Sequence, residues 1–201
     1  MHDVSLYEAW GKRALDLAGA ALLLLLLAPL LALVALAVCR VLGRPVLFRQ
    51  SRAGRGGRCF TLLKSRSMAE GPGEDAARLD GFGRALRASA LDELPQLLNV
   101  LRGEMSLVGP RPLPLDYLPL YTPRQAARLR VRPGLAGLAQ AAGRNAVPWA
   151  ARLELDACYA ARQTLRGDAA ILLRCLVLVL RGRGVAAAGH ASMPPFRGGA
   201  G

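Results

Sequence analysis

The sequence predicts an α+β, mainly helical fold, in which an N-terminal re-entrant membrane helix packs on a small cytoplasmic domain with a short β-hairpin and amphipathic interfacial helices. Three observations predict it. Leu17 to Cys39 is a run of 23 residues without a charge, rich in Leu and Ala. Short apolar stretches flank a Gly/Arg-rich segment, Gln50 to Arg58, in the pattern of a hairpin. The remainder alternates helix-forming stretches with Pro and Gly punctuation and shows no internal repeat. The expected boundaries are 1–44 for the membrane-embedded helix, 45–181 for the cytoplasmic domain and 182–201 for a Gly/Ala/Pro-rich disordered tail.

As a helix the uncharged run is about 34 Å long, enough for a bilayer core of about 30 Å. Lys12 and Arg13 precede it, as in a signal peptide, but the run exceeds an ordinary signal core and no small-x-small cleavage site follows. Pro29 lies mid-segment, where it removes a backbone donor, frees the Leu25 carbonyl and favours a kink. Both flanks are basic: Lys12 and Arg13 before, Arg40, Arg44, Arg49, Arg52, Arg55 and Arg58 after. The positive-inside rule puts each flank in the cytoplasm, which a helix bending at Pro29 satisfies. The alternative is a straight span oriented by the heavier C-terminal charge.

Pro45 to Phe48 and Cys59 to Leu63 are the two expected strands, joined around Gly54, Gly56 and Gly57. Glu70 to Ala76 reads as a mobile loop. Leu79 to Leu86 and Leu91 to Leu101 read as helices, and the proline-rich Val108 to Pro114 as extended chain. Pro123 to Val131 is a helix with a basic face, stopped by Pro133 and Gly134. Trp149 to Arg166 and Asp168 to Leu180 are two further helices, the last too short to span a bilayer and so a core or interfacial element.

Composition narrows the function. The chain is 53% hydrophobic with a formal charge of +13, and among 27 basic residues only Lys12 and Lys64 are lysines. Such a chain suits nucleic acid, anionic headgroups or phosphorylated substrates. Aromatic residues at 5% give little for base stacking, and the uncharged run calls for a membrane, so no nucleic-acid partner is expected. The four cysteines form no CxxC pair, and the two histidines, His2 and His190, lie near the termini. Acid–base or nucleophilic chemistry therefore falls to carboxylates, Lys or Arg.

The densest polar run is Ser89-Ala-Leu-Asp92-Glu93-Leu-Pro95-Gln96-Leu-Leu-Asn99. Ser89-x-x-Asp92 matches a capping box, on which reading both carboxylates serve only a helix N-terminus. The same placement keeps a carboxylate ionised and available as nucleophile or metal ligand. Arg84, Arg87, Arg102 and Arg111 all lie within 20 residues of the pair, and Arg111 sits between Pro110 and Pro112. Guanidinium groups bind phosphate in forked pairs, so this grouping points to phosphate chemistry with an oxygen-bound divalent metal. A solvated basic face against lipid headgroups is the alternative.

Several stretches in order carry a family resemblance. They are Lys12-Arg13-x-x-Asp16; Pro45-Val-Leu-Phe-Arg-Gln50-x-Arg52-x-Gly54; Lys64-Ser-Arg66-Ser-Met68; and Leu86-Arg87-x-Ser89-x-Leu-Asp92-Glu93-Leu-Pro-Gln-Leu. They continue with Asn99-Val-Leu-x-Gly-Glu104-Met-Ser-Leu-Val-Gly-Pro-Arg111-Pro, Val131-Arg132-Pro-Gly134-Leu-x-Gly, Gly143-Arg144-Asn145 and Leu155-Asp156-x-x-Tyr159. The set resembles the bacterial sugar transferases, monotopic polyprenyl-phosphate phosphoglycosyl transferases that initiate glycan-lipid synthesis. The resemblance implies transfer of a sugar-1-phosphate from a UDP-sugar to a polyprenyl phosphate, of the undecaprenyl type, with release of UMP. It implies Asp92 as nucleophile, Glu93 as a second catalytic carboxylate and Mg²⁺ ligand, and Lys64, Arg87, Arg111 and Arg144 as substrate-binding cations. It further implies a bacterial inner membrane location among membrane lipids, the catalytic domain on the cytoplasmic face, and is compatible with a homodimer. Similar proteins kink their membrane helix at Ser-Pro, whereas this chain has Ala28-Pro29; Ser65, Ser67 and Leu138 also replace residues usual in the family. The remaining alternative is a non-catalytic, basic membrane-surface protein of the same fold, which has no physical need of the Asp92-Glu93 pair beside Lys64 and Arg111.

Overall fold

The computed structural model describes residues 6–69, 71, 78–182 and 195–198. After a wide helical turn, Tyr7–Gly11, helix α1 runs Lys12–Leu42 as one element with Pro29 inside it. Leu, Ala and Val supply helix-compatible apolar side chains over this length, and Gly43, at φ 75°, ends it with its N–H on the Cys39 carbonyl. The helix is long and apolar enough to cross a membrane.

Both ends of α1 are tied to the rest of the chain. At its start, Lys12 Nζ lies 2.5 Å from Asp168, which also accepts from the Tyr7 and Tyr159 hydroxyls. Arg13 donates to the Val100 and Leu101 carbonyls, and buried Asp16 accepts from Ser106 Oγ and Leu107 N, both at 2.9 Å. At its other end the Arg66 guanidinium donates to the carbonyls of Leu42, Gly43 and Arg44. Ala20, Val34 and Val38 are buried, whereas Leu22, Leu25, Leu26 and Leu33 are exposed. The helix therefore packs one face on the domain, through Ala20 and Leu24 and then Leu30, Val34 and Val38, and leaves most of its other leucines uncovered.

Strands β1 (Leu47–Ala53) and β2 (Cys59–Ser65) pair antiparallel, Leu47 opposite Ser65 and Ala53 opposite Cys59, around a 3₁₀ turn at Arg55–Gly57. The hairpin is where the glycines place it, but β1 continues through Gln50 to Ala53, residues expected in the loop. Polar side chains on the exposed face of a two-stranded ribbon do not interrupt its ladder.

Helix α2 (Gly81–Ala88) begins two residues later than Leu79, because Asp80 caps it by accepting from Gly83 N at 2.7 Å. The helix expected over Leu91 to Leu101 divides into a 3₁₀ turn, Leu91–Glu93, and helix α3, Gln96–Leu101. Pro95, which lacks an N–H to continue a ladder, separates them. The capping box does not form. Ser89 Oγ donates backwards to the Leu86 carbonyl at 3.0 Å, and Ala90 takes a left-handed conformation (φ 56°) that turns the chain sharply before Asp92.

Two three-residue strands, β3 (Ser106–Val108) and β4 (Gly134–Ala136), pair in parallel. Their approach needs glycine: a Cβ on Gly134 would fall 2.0 Å from Gly109 N, and one on Gly109 2.4 Å from the Arg132 carbonyl. Pro123–Ala126 forms a single capped turn, α4, continued as 3₁₀ helix through Arg130. Helices α5 (Leu138–Gly143), α6 (Trp149–Ala161) and α7 (Leu165–Leu180) complete the chain. The expected single helix from Trp149 to Arg166 thus stops at Ala161, and Thr164 caps α7 through Gly167 N.

The core is divided. Ala20 of α1 packs with Phe60, Leu62, Leu97, Val100 and Met105, which joins helix, hairpin and α3. Burying a side chain such as Leu97 is worth about 1.5–3 kcal/mol. Asn99, fully buried, accepts from Leu63 N and donates to Thr61 O and Glu104, so one side chain clasps α3 to the strand that carries Lys64. Most of the Glu70 to Ala76 loop and of the 182–201 tail lies outside the described residues. Within the tail, Phe196 is buried among Tyr117, Tyr121 and Trp149, and its N–H donates to Tyr117 Oη.

Candidate active site

The left-handed turn at Ala90 delivers Leu91-Asp92-Glu93 to the space between β2 and the segment around Arg111. Glu93 Oε1 lies 2.7 Å from both Lys64 Nζ and Arg111 Nη2, and Arg111 Nη1 reaches Oε2 at 3.4 Å. Lys64 Nζ is 3.8 Å from Asp92 Oδ2. Asp92 is buried, 5% exposed. The two carboxylates therefore differ in environment: Glu93 carries the short ion pairs and Asp92 stands beside them.

Their titration separates accordingly. Burial would raise the Glu93 carboxyl, but the Arg111 and Lys64 charges and hydrogen bonds outweigh it and hold the group well below the usual carboxylate range. Asp92 goes the other way. Burial raises its carboxyl, the Glu93 charge adds to that, and Lys64, Arg111 and Arg87 offset only part. In turn Glu93 raises Arg111, against the effect of burial.

The other two basic residues expected here are also brought in. Arg87, on α2, donates from Nε to Ser67 Oγ at 3.0 Å, and its charge acts on Asp92. Arg144, at φ 53°, donates to the Arg87 carbonyl at 3.4 Å. Of the four basic residues, Lys64 and Arg111 touch the acidic pair directly.

Sequence reasoning missed the support for Arg111. Arg128 and Asp156, both buried, form an ion pair at 2.8 Å. The same guanidinium donates to the Arg111 carbonyl at 2.6 Å and to Tyr121 Oη at 3.2 Å. Leu155-Asp156-x-x-Tyr159 marked the acid, but 28 residues separate the partners and Arg128 looked like part of an exposed basic face.

Among the described residues, no group of three or more His, Cys, Asp or Glu is placed to enclose a metal. Mg²⁺ needs fewer protein ligands when phosphates supply the rest: one or two carboxylates suffice. Asp92 and Glu93 are that number. Asp92 Oδ2, with Lys64 Nζ at 3.8 Å, and Glu93 Oε2, with only the long Arg111 contact, both keep capacity for a cation.

Comparison with known families matches residues 7–182 to the bacterial sugar transferases. The chain is 44% identical over 194 residues to an uncharacterized sugar transferase, EpsL, of Bacillus subtilis, covering 93% of this chain and 96% of that one. It is 52% identical over 145 residues to a UDP-glucose:undecaprenyl-phosphate glucose-1-phosphate transferase of Caulobacter vibrioides, covering 66% of this chain and 54% of that one. It is 35% identical over 193 residues to an undecaprenyl-phosphate galactose phosphotransferase of Salmonella typhimurium, of which it spans 40%. With a family match across nearly its whole described length, the chain belongs to the bacterial sugar transferase family.

Proposed function

We propose that the protein transfers a sugar-1-phosphate from a UDP-sugar to undecaprenyl phosphate or a similar polyprenyl phosphate, as the first membrane step in making an exopolysaccharide or related glycan. The observation that carries this is the buried Asp92 beside the Lys64–Glu93–Arg111 ion-pair cluster, in a chain whose relatives carry undecaprenyl-phosphate transferase names. In the first step an Asp92 oxygen attacks the sugar-bearing phosphorus, and the bond from that phosphorus to the bridging oxygen breaks. UMP leaves with the oxygen and the electron pair, and a phosphosugar ester remains on Asp92. A phosphate oxygen of the polyprenyl phosphate then attacks the same phosphorus. The bond to the Asp92 oxygen breaks, which returns the carboxylate and yields a polyprenyl-diphosphate sugar.

Each residue has a role that its surroundings support. Burial strips water from Asp92 and makes its ionised form a stronger nucleophile. Lys64 and Arg111, fixed on Glu93, present charge to the oxygens of the phosphoryl group under attack. Arg87 and Arg144 extend that charge toward the rest of the donor. Glu93, through Oε2, would hold Mg²⁺; when bound, the ion neutralises charge on the diphosphate as UMP departs. The experiment that tests the function is a screen of UDP-sugars for UMP release with polyprenyl phosphate and Mg²⁺. Absence of release with every donor, and of sugar-phosphate on the lipid, overturns it.

A pH dependence follows from the raised Asp92 carboxyl. The nucleophile is the ionised form, so activity is lost as pH falls through the raised value, above the usual carboxylate range near 4. Glu93, held below that range, adds no limb at higher pH. The pH profile of kcat/KM should therefore show an acid limb above pH 4; flat activity down to pH 4 would count against Asp92 as the buried nucleophile.

The membrane arrangement we infer is re-entrant, with the catalytic domain on the cytoplasmic face of the inner membrane. A helix whose two ends bind one domain, at Asp168 and Ser106 on one side and at Arg66 on the other, supports both ends on one membrane face. A cysteine introduced near the N-terminus should stay unlabelled by an impermeant thiol reagent applied from outside. Labelling from outside in an otherwise wild-type chain would refute the arrangement.

A further inference from the structure

Two arginines that feel the Arg111 charge, one buried and one half-buried, make no ion pair among the described residues. Among the described residues Arg52, on β1, donates to the neutral Gln50 Oε1 at 2.5 Å, and its Nε is buried without an acceptor. Arg152, on α6, is 2% exposed, donates from Nη2 to the Arg144 carbonyl at 2.6 Å and stacks over Trp149 at 5.5 Å. Its Nε is likewise buried without an acceptor. Among the described residues neither pairs with a carboxylate. The nearby acids are already engaged: Glu93 by Lys64 and Arg111, Asp156 by Arg128. Burial, with the Arg111 charge adding to it, pushes each guanidinium down to about 10, and the charges of Glu93 at Arg52 and Asp156 at Arg152 offset only part. Ala53, next to Arg52, donates its N–H to the Leu113 carbonyl at 3.0 Å, which docks that strand against the segment carrying Arg111.

A cation withdrawn from water without a counterion is unfavourable in the free chain. An anion bringing several oxygens reverses this, since each guanidinium offers forked donors and two Nε–H groups are already stripped of water. Arg152 lies over Trp149 and Arg128 over Tyr121, and both rings pack on Phe196, so it is the forked donors and not the rings that recognise the anion.

We propose that Arg52 and Arg152, flanking Arg111, form a phosphate-binding cradle for the nucleotide half of the donor, which holds the phosphate of the departing UMP while Lys64 and Arg111 serve the phosphorus under attack. This rests on the transferase reading above for the identity of the nucleotide. The positive charge is thereby divided between two groups: cations held on Glu93 face the transferred group, and cations without a carboxylate face the leaving group. A purely structural role is the competing account, in which Arg152 supports the Arg144 turn and Arg52 covers the hairpin.

The test uses the full chain in lipid nanodiscs and follows its melting temperature with UMP, uridine, inorganic diphosphate and farnesyl phosphate. UMP and diphosphate should raise the wild-type melting temperature, and uridine should do so far less. Arg52→Gln and Arg152→Gln should each weaken apparent UMP affinity at least ~10-fold, as expected for loss of a charge-assisted hydrogen bond. The melting temperature without ligand should hold or rise. Arg152→Lys, which keeps the charge but not the fork, should restore part of the affinity, and Arg52→Gln stands alone if Arg152→Gln does not fold. Wild-type UMP affinity in both glutamine variants overturns the cradle, as does a lower melting temperature with unchanged affinity. Loss of farnesyl phosphate binding with UMP binding intact overturns the nucleotide assignment. Because UMP binding needs no turnover, failure of the transferase reading would show separately, as absence of a sugar-phosphate adduct on Asp92.

Discussion

Asp92→Asn abolishes the protein-bound sugar-phosphate adduct and lowers UMP release at least about 10³-fold, while leaving the fold in place. A carboxamide has nearly the shape of a carboxylate but neither its charge nor its nucleophilic lone pairs. The stability side is equally specific. Asp92 is a buried carboxylate next to Glu93, and its carboxyl is raised by burial and by that neighbour. Replacing it with a neutral amide removes a like-charge contact, so the melting temperature should stay level or rise even as activity disappears. Intact-mass measurement after incubation with donor, without acceptor, reads the adduct directly. Release of UMP by the variant at the wild-type rate would show that another group is the nucleophile.

Arg128→Met should be the most destabilising single change near the site. The Arg128–Asp156 pair is almost fully buried, and the same guanidinium also reaches the Arg111 carbonyl and Tyr121. Removing one partner leaves a carboxylate without its counter-charge in a dry interior, at a cost of about 3–5 kcal/mol. For a chain of this size that lowers the melting temperature by about 6–20 °C. The pH dependence gives a second check. Burial already raises the Asp156 carboxyl despite Arg128, and without Arg128 it rises further. A carboxyl raised in the folded state binds its proton more tightly there, so stability falls as pH increases. The variant should therefore lose more at pH 8 than at pH 5. Arg128→Met with Asp156→Leu should recover most of the loss, because neither member of that pair is then left as a lone buried charge. Equal melting temperatures for wild type and Arg128→Met would mean that the pair contributes nothing net.

Much of the candidate site could be read from the residues, for local reasons. Asp92 and Glu93 stood out as adjacent acids in an apolar, arginine-rich chain, and the prolines around Arg111 marked a stiffened cation. The hairpin followed from glycines at Gly54, Gly56 and Gly57. What could not be read was long-range or against local preference. Ser89 had the spacing of a capping box, but the left-handed Ala90 turned its hydroxyl back to α2, a conformation that residue type does not signal. Strands of three residues, such as β3 and β4, have no periodicity to detect. Arg128 and Asp156, or Asp16 and Ser106, find each other across 28 and 90 residues, and no spacing rule connects them.

The clasp between Lys12 and Asp168 also sets an order on the making of the protein. These partners are 156 residues apart, so α1 emerges from the ribosome long before the residue that fixes its first turn. At about 5–20 residues per second, that interval is roughly 8–30 seconds. Throughout it α1 has no domain beside it, and its leucines, which stay exposed even in the finished fold, invite aggregation in water. Synthesis at a bilayer removes that hazard: lipid covers the leucines first, and the domain closes onto both ends of the helix last. A chain truncated before α7 should then enter membranes as readily as the full protein, yet leave its N-terminal turn open to protease.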